Sequence, residues 1–101
     1  MVITGVPSAT ATYGPITASG FSDTWKSRHP SKPGFTCCQA TDLFEPENSM
    51  LTERDDLVLT RGPFSDGKAS IVGNHPADRL PSGLWPSDHA GVVAILELEY
   101  G

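Results

Sequence analysis

Apolar and polar positions alternate most clearly near the end of the chain. Over residues 90–99, one set of alternate positions is wholly apolar, and the other set turns polar towards the end of the segment. Period-two alternation is typical of a strand with one buried face. The pattern therefore predicts a strand from Ala90 to Glu99. Its core-facing positions would be Val92, Ala94, Leu96 and Leu98.

Weaker β-prone runs occur earlier in the chain, and turn residues separate them. The predicted segments are Met1–Gly5, Phe35–Gln39, Asp56–Thr60 and Lys68–Asn74. Residues 80–87 contain proline, glycine and serine and predict an irregular loop that carries Trp85.

Two short helices are predicted between the first two of these runs. Tyr13–Ser19 is followed by Gly20, a residue favoured just beyond the C-terminus of a helix. Ser22 and Asp23 offer an N-cap for a second helix through Trp25–Arg28, which Pro30 would end.

These elements predict an α+β fold that corresponds to half of an α/β sandwich. We expect one small, mostly antiparallel sheet of about four strands, with short helices on one face. The 101 residues contain no repeat and no linker, which indicates a single domain over 1–101. Nine prolines and ten glycines predict long irregular connections between the elements.

Composition and charge exclude several classes of function. The net charge of −5 argues against non-specific binding of nucleic acid or an anionic membrane, because both require a basic surface. No apolar run approaches the roughly 20 residues that span a bilayer, and the first residues do not resemble a signal peptide. We therefore expect a soluble protein, cytoplasmic by default. The adjacent Cys37 and Cys38 are expected to be two separate thiols in a reducing compartment.

The strongest chemical signal is the dipeptide Asp88-His89, which lies on a turn before the last predicted strand. Catalytic side chains are often carried by loops whose geometry a rigid strand fixes. By itself the dipeptide is a weak signal, and its meaning depends on other motifs along the chain.

Four spaced motifs occur in an order that resembles the closing part of the endonuclease/exonuclease/phosphatase superfamily. These metal-dependent hydrolases include DNase I-like nucleases, abasic-site endonucleases, sphingomyelinases and inositol polyphosphate phosphatases. The resemblance runs along this whole chain but covers only the C-terminal part of the much longer family domain. The motifs are Gly20–Trp25, Thr36–Gln39, Glu53–Leu59 and Ser87–His89.

The resemblance implies roles for individual residues. Asp88 would be a metal-associated carboxylate and His89 the histidine of the reaction centre. Asp56 would orient that histidine, with Arg54 two residues before it. A carboxylate on the second imidazole nitrogen fixes the tautomer and raises the pKa of the histidine. Arg54 and Trp85 are expected to contact the substrate.

The chain departs from the family at the Gly-Asp-x-Asn signature. That signature would fall at Gly5–Ser8, where the residues are Gly, Val, Pro and Ser. Mg²⁺ prefers an octahedral shell of oxygen ligands, and Asp88 alone is a poor anchor for it.

Three functional hypotheses therefore remain open. The first is a hydrolase of phosphodiester or carboxylic ester bonds with Asp56 and His89 as the general-base dyad; if a metal takes part, it is Mg²⁺ at Asp88. The second is a metal-independent esterase that uses Ser87 or Ser8 as nucleophile. The third is a non-catalytic truncated fragment or interaction module.

The missing half of the family domain also predicts an oligomer. The family fold packs two sheets face to face, so a lone C-terminal half would expose an apolar face. Two copies could cover these faces, and we expect a homodimer that binds a small ester or phosphoester substrate.

Overall fold

The computed structural model describes residues 11–44 and 49–99. The strand predicted at Met1–Gly5 and the candidate nucleophile Ser8 lie outside the described residues. Within the described ranges, no helix combines the length and the apolar character needed to cross a membrane.

The described residues form a small α+β arrangement with two antiparallel sheets of two strands each. One sheet pairs β1 with β2, and the other pairs β3 with β4. In chain order, the elements are α1 (Tyr13–Ala18), β1 (Ser22–Asp23), α2 (Thr24–Arg28), β2 (Leu59–Thr60), β3 (Phe64–Val72), a 3₁₀ turn (Pro76–Asp78) and β4 (Gly91–Leu98).

Both predicted helices are confirmed, and their ends follow the local signals. Gly20 has a φ of 100°, which glycine adopts without steric cost just after α1. Asp23 is the N-cap of α2, and its carboxylate accepts a hydrogen bond from the Lys26 backbone N–H at 3.3 Å. The α2 helix contacts β3, so it covers one face of the larger sheet.

The β3–β4 hairpin confirms the strand predicted at the end of the chain. Alternate β4 residues are half-buried and exposed as predicted, except at Leu98, which is 48% exposed. Leu98 pairs with Phe64, which is also exposed (42%), at the end of the two-stranded sheet. The prediction that Leu98 faces the core is therefore wrong.

The structure has two small sheets instead of the predicted single sheet, because the central segments form few β-ladder hydrogen bonds. Within Phe35–Gln39 only Cys37 forms β-bridges, to Glu53 and to His89. Of the strand predicted at 56–60, only β2 is present. The amides of residues 55 and 56 instead donate to a threonine hydroxyl, which removes them from a strand ladder.

The buried core of the described residues is small and contains two tryptophans. Trp25 packs so closely on Gly34 that a Cβ atom there would lie 2.3 Å from the indole nitrogen. Gly34 also has a φ of 67°, so both sterics and backbone geometry require glycine at this position. The buried apolar residues are Tyr13, Trp25, Cys37, Ala69, Trp85 and Ala90.

Candidate active site

Three chain segments meet at the candidate site, and the segment around Cys37 lies between the other two. On one side, the Thr36 backbone N–H donates to the carbonyl of Glu53 at 2.7 Å. On the other side, the Ala90 N–H donates to the carbonyl of Thr36 at 2.8 Å, and the Gln39 N–H donates to that of Asp88 at 2.8 Å. Residues far apart in sequence are thereby held at neighbouring positions.

Thr36 connects the two outer segments; it begins one of the four motifs, but no role was predicted for it. Its side chain is fully buried, and its hydroxyl accepts from the backbone N–H groups of Asp55 (3.0 Å) and Asp56 (3.1 Å). The Thr36 carbonyl meanwhile accepts from Ala90, next to His89. Thr36 is therefore a positioning residue for both members of the predicted dyad. A lone threonine has no sequence signal for such a role, because both of its partners are distant along the chain.

The structure brings the predicted dyad together. Nδ1 of His89 lies 2.6 Å from Oδ2 of Asp56, within hydrogen-bonding distance. The two side chains are 35% and 42% exposed, so water and a small molecule can reach them. With Nδ1–H donated to the carboxylate, Nε2 is the nitrogen that is free to accept a proton.

The surroundings of His89 raise its pKa. The main cause is the hydrogen bond to Asp56, which stabilises the imidazolium. Partial burial opposes this effect, while the negative charges of Asp56, Asp88 and Asp55 add to it. His89 therefore binds a proton more strongly than an ordinary histidine does.

Ser87 and Asp88 form the turn that carries His89. The Ser87 hydroxyl accepts from the His89 backbone N–H at 3.1 Å and reaches Oδ1 of Asp88 at 3.5 Å. None of the described hydrogen bonds joins this hydroxyl to the imidazole ring. Asp88 is exposed at the protein surface. The hydrogen bonds of the Ser87 hydroxyl therefore stabilise the turn.

Arg54 and Trp85, which the sequence assigned to substrate contacts, are both in the interior. Their exposed fractions are 5% and 1%. The Arg54 guanidinium binds Asp23 through two hydrogen bonds, one of them from Nη1 to Oδ1 at 2.8 Å. Trp85 is enclosed, and its backbone N–H donates to the carbonyl of Leu43 at 2.9 Å. Both side chains are therefore enclosed by the protein, and neither is presented to solvent.

The buried Asp23 carboxylate is the centre of a polar cluster that includes Arg54, two residues before Asp56. The Tyr13 hydroxyl donates to its Oδ2 at 2.6 Å, in addition to the two bonds from Arg54. Burial by itself would raise the pKa of Asp23, but the hydrogen bonds from Arg54 and Tyr13 and the charge of Arg54 outweigh it, so the pKa is lowered. Burial, followed by the bond to Asp23, raises the pKa of Tyr13. The cluster links α1 and the start of α2 to the segment that carries Asp56.

The side chains of the adjacent Cys37 and Cys38 are in contact, and the expectation of two separate thiols stays a prediction. The sulfur atoms of these neighbouring residues meet beside the carboxylates of Glu53 and Asp55. The pKa of Glu53 is raised, first by desolvation and then by the charge of Asp55 and a hydrogen bond with it. Two acidic groups and two sulfurs therefore share one small region next to the dyad.

The described residues also form an open cleft of about 600 Å³, which is separate from the dyad. It is lined by α2, the segment around Gly34 and the end of β3, and neither Asp56 nor His89 contributes to it. The cleft therefore takes no part in the chemistry of Asp56 and His89.

Comparisons with other proteins do not assign this chain to a family. The family resemblance inferred from the spaced motifs thus remains a prediction. No protein-family profile, no curated protein and no solved structure matches this chain.

Proposed function

We propose that this chain is a hydrolase of carboxylic ester or phosphodiester bonds, in which His89, held by Asp56, is the general base. The observation that carries the proposal is the 2.6 Å contact between His89 Nδ1 and Asp56 Oδ2. A carboxylate–histidine pair that is partly open to solvent has the components that general-base catalysis requires.

The reaction follows from the two nitrogens of the imidazole. Nε2 takes a proton from a water molecule, and the water oxygen forms a bond to the carbonyl carbon or the phosphorus atom of the substrate. Asp56 stabilises the resulting imidazolium through Nδ1. Nε2 then returns the proton to the departing alcohol oxygen as its bond to the substrate breaks. Histidine and Asp56 end the cycle unchanged.

We infer that the chain is related to the closing part of the endonuclease/exonuclease/phosphatase superfamily and has half of a DNase I-like fold. The inference is supported by the contact between Asp56 and His89, the two residues that the resemblance pairs. It is also supported by the order of the four motifs along the chain.

The Mg²⁺ that the resemblance implies does not fit the residues around Asp88. Asp88 is exposed, and among the described residues it belongs to no group of three potential ligands. Asp56, the nearest candidate in the resemblance, is bound to His89. The proposed reaction therefore uses water activated by His89 alone.

Nitrophenyl esters and bis-nitrophenyl phosphate test the proposal, each with and without EDTA. We expect chelator-resistant ester turnover by the wild-type protein and its loss in His89→Ala. Exposed imidazoles hydrolyse activated esters weakly, so a matched control is needed. His75→Ala removes an exposed imidazole at the rim of the separate cleft and should leave the rate unchanged.

The time course separates this mechanism from the serine hypothesis. Direct attack by water gives linear product release, whereas a Ser87 nucleophile would give a burst of nitrophenol as an acyl-enzyme accumulates. Equal rates in wild type and His89→Ala would contradict the proposal and favour the non-catalytic hypothesis. Turnover that EDTA abolishes would contradict the metal-independent mechanism.

We also propose that two copies associate through the outer face of β4. Val93 and Ile95 lie on this face and are 42% and 57% exposed. They oppose Ser70 and Lys68 on β3, so the apolar surface is concentrated on one strand. Association would remove this surface from water.

Light scattering tests the association. We expect a mass near twice that of the 10.7 kDa chain for the wild type, and a single-chain mass for Ile95→Glu. Leu80→Glu changes an exposed apolar residue in a loop (49% exposed) and should leave the mass at two chains. A monomeric wild-type protein would refute the proposal.

A further inference from the structure

The open cleft of about 600 Å³ has the size and the lining of a small-molecule site, and the proposed hydrolysis leaves it without a function. Sites for small molecules commonly enclose about 300–1,000 Å³ and have mostly apolar walls with a few polar groups. The apolar walls of this cleft come from α2, the central segments and β3, and they include Trp25, Phe35, Leu51 and Ile71. The cleft can therefore take up an apolar body.

Two aromatic rings in the cleft are held rigidly. The indole of Trp25 packs on Gly34, and its Nε1–H donates to the carbonyl of Lys32 at 2.9 Å. The ring of His29 lies against this indole, with the centroids 4.2 Å apart, and its Nε2–H donates to the carbonyl of Ala69 at 2.7 Å. Both rings are fixed before a ligand arrives, and a preformed site loses less entropy on binding.

The charge of the lining favours an anion. None of the described residues that line the cleft is acidic, although the chain has 12 acidic residues and 7 basic ones. Lys32 lines the cleft with an exposed side chain, and its ammonium attracts a negative group. His29 and His75 also line it, and an imidazole can gain a positive charge but not a negative one.

We propose that this cleft binds a small organic anion that combines a flat aromatic body with one carboxylate group. The aromatic body lies against Phe35 and the paired rings of Trp25 and His29, and the carboxylate lies near the ammonium of Lys32. Phe35 is 39% exposed, so a bound ring would remove apolar surface from water. Neither Asp56 nor His89 lines the cleft, so this binding activity goes beyond the proposed hydrolysis.

Nuclear magnetic resonance of the intact, nitrogen-15-labelled chain tests the proposal with 2-naphthoate as the probe. Trp25 lines the cleft, whereas Trp85 is enclosed elsewhere in the protein. We expect the indole N–H signal of Trp25 to shift with a dissociation constant of about 1 mM or lower. The signal of Trp85 should stay in place. The neutral 2-naphthylmethanol and the cationic 2-naphthylmethylamine should bind at least about twofold more weakly.

Two variants separate the charge from the aromatic surface. Lys32→Gln should weaken the binding of 2-naphthoate by about two- to fivefold and leave that of 2-naphthylmethanol unchanged. Lys26→Gln changes an exposed lysine of α2 outside the cleft and is its control. Phe35→Ala should weaken the binding of both compounds. Phe44→Ala, which changes a phenylalanine that is 58% exposed and outside the cleft, should not.

His89→Ala should bind 2-naphthoate as the wild type does, because His89 does not line the cleft. Loss of binding in this variant would place the anion at the dyad and overturn the proposal. The proposal is also overturned if the indole signal of Trp25 does not shift, or if the neutral alcohol binds as tightly as the carboxylate. Because 2-naphthoate has no ester bond, the result is independent of whether His89 catalyses hydrolysis.

Discussion

Asp56→Asn is expected to lower the kcat for ester hydrolysis by about 10²- to 10⁴-fold. The carboxylate of Asp56 holds the imidazole of His89 in place and stabilises its protonated form. An asparagine of nearly the same shape keeps the packing but has no negative charge for the imidazolium. The measurement is steady-state turnover of a nitrophenyl ester by folded variant protein, checked by circular dichroism.

The pH dependence of the rate shows whether Asp56→Asn changes the pKa of His89 or only disturbs the shape of the site. Only neutral His89 accepts a proton, so the rate should rise with pH through its pKa. In the wild type that pKa is raised, mainly by Asp56, so the rise should lie above the range of an ordinary histidine. In Asp56→Asn the main cause is absent, and the rise should shift to lower pH with a lower plateau.

Asp42→Asn is the matched control for this experiment. Its carboxylate is exposed and accepts from the Phe44 backbone N–H within its own loop, at 3.0 Å. Both the rate and the pH profile should stay as in the wild type. A pH profile unchanged in Asp56→Asn would mean that the dyad does not control the rate.

Arg54→Met is expected to lower the free energy of unfolding by about 3–5 kcal/mol at neutral pH. Arg54 and Asp23 form an ion pair whose side chains are 7% and 5% exposed. Removal of the guanidinium leaves the Asp23 carboxylate buried with a charge, and its remaining partners among the described residues are the Tyr13 hydroxyl and a backbone N–H. The measurement is urea unfolding followed by tryptophan fluorescence.

The sign of the pH effect makes this prediction specific. In the wild type the pKa of Asp23 is lowered, so its stabilising contribution is present above the unfolded pKa and is lost as pH falls through the folded pKa. In Arg54→Met, burial raises that pKa instead. The destabilisation should therefore be largest at neutral pH and shrink in acid, where Asp23 takes up a proton.

Two further variants complete the test. Arg61→Met changes an exposed arginine that lies over the Phe21 ring and should cost less than about 1 kcal/mol. Asp23→Asn combined with Arg54→Met should recover part of the lost stability, since the amide removes the buried charge and keeps an oxygen for the α2 cap and for the Tyr13 hydroxyl. An equal cost for Arg54→Met at pH 7 and pH 3 would contradict the role assigned to the ion pair.

The elements that the sequence predicted well are those set by local interactions. Both helices depend on signals within a few residues, the Asp23 cap and the glycine after α1. The β4 strand has a period-two pattern of its own. The pairing of Asp56 with His89 was implied by the family resemblance, and the structure brings the two side chains into contact.

The predictions that failed depend on contacts between distant segments. Leu98 has an apolar side chain in register with the core set, but its partner lies at the exposed end of the hairpin. Nothing around Arg54 in the sequence indicates that Asp23, 31 positions earlier, would bury it. The central segments carry strand-like residues, yet a threonine hydroxyl takes the amides that a ladder would need.

The sequence by itself determined the helices and the last strand, because periodicity and capping act through short-range sterics and hydrogen bonds. The pair of residues on which the proposed chemistry depends was implied by the family resemblance, and their contact spans 33 positions of the chain. Only the tertiary structure decided which polar side chains are buried, that the strands form two separate sheets, and that two sulfurs meet two carboxylates beside His89. Burial and long-range pairing depend on the packing of the whole chain, and local sequence does not encode them.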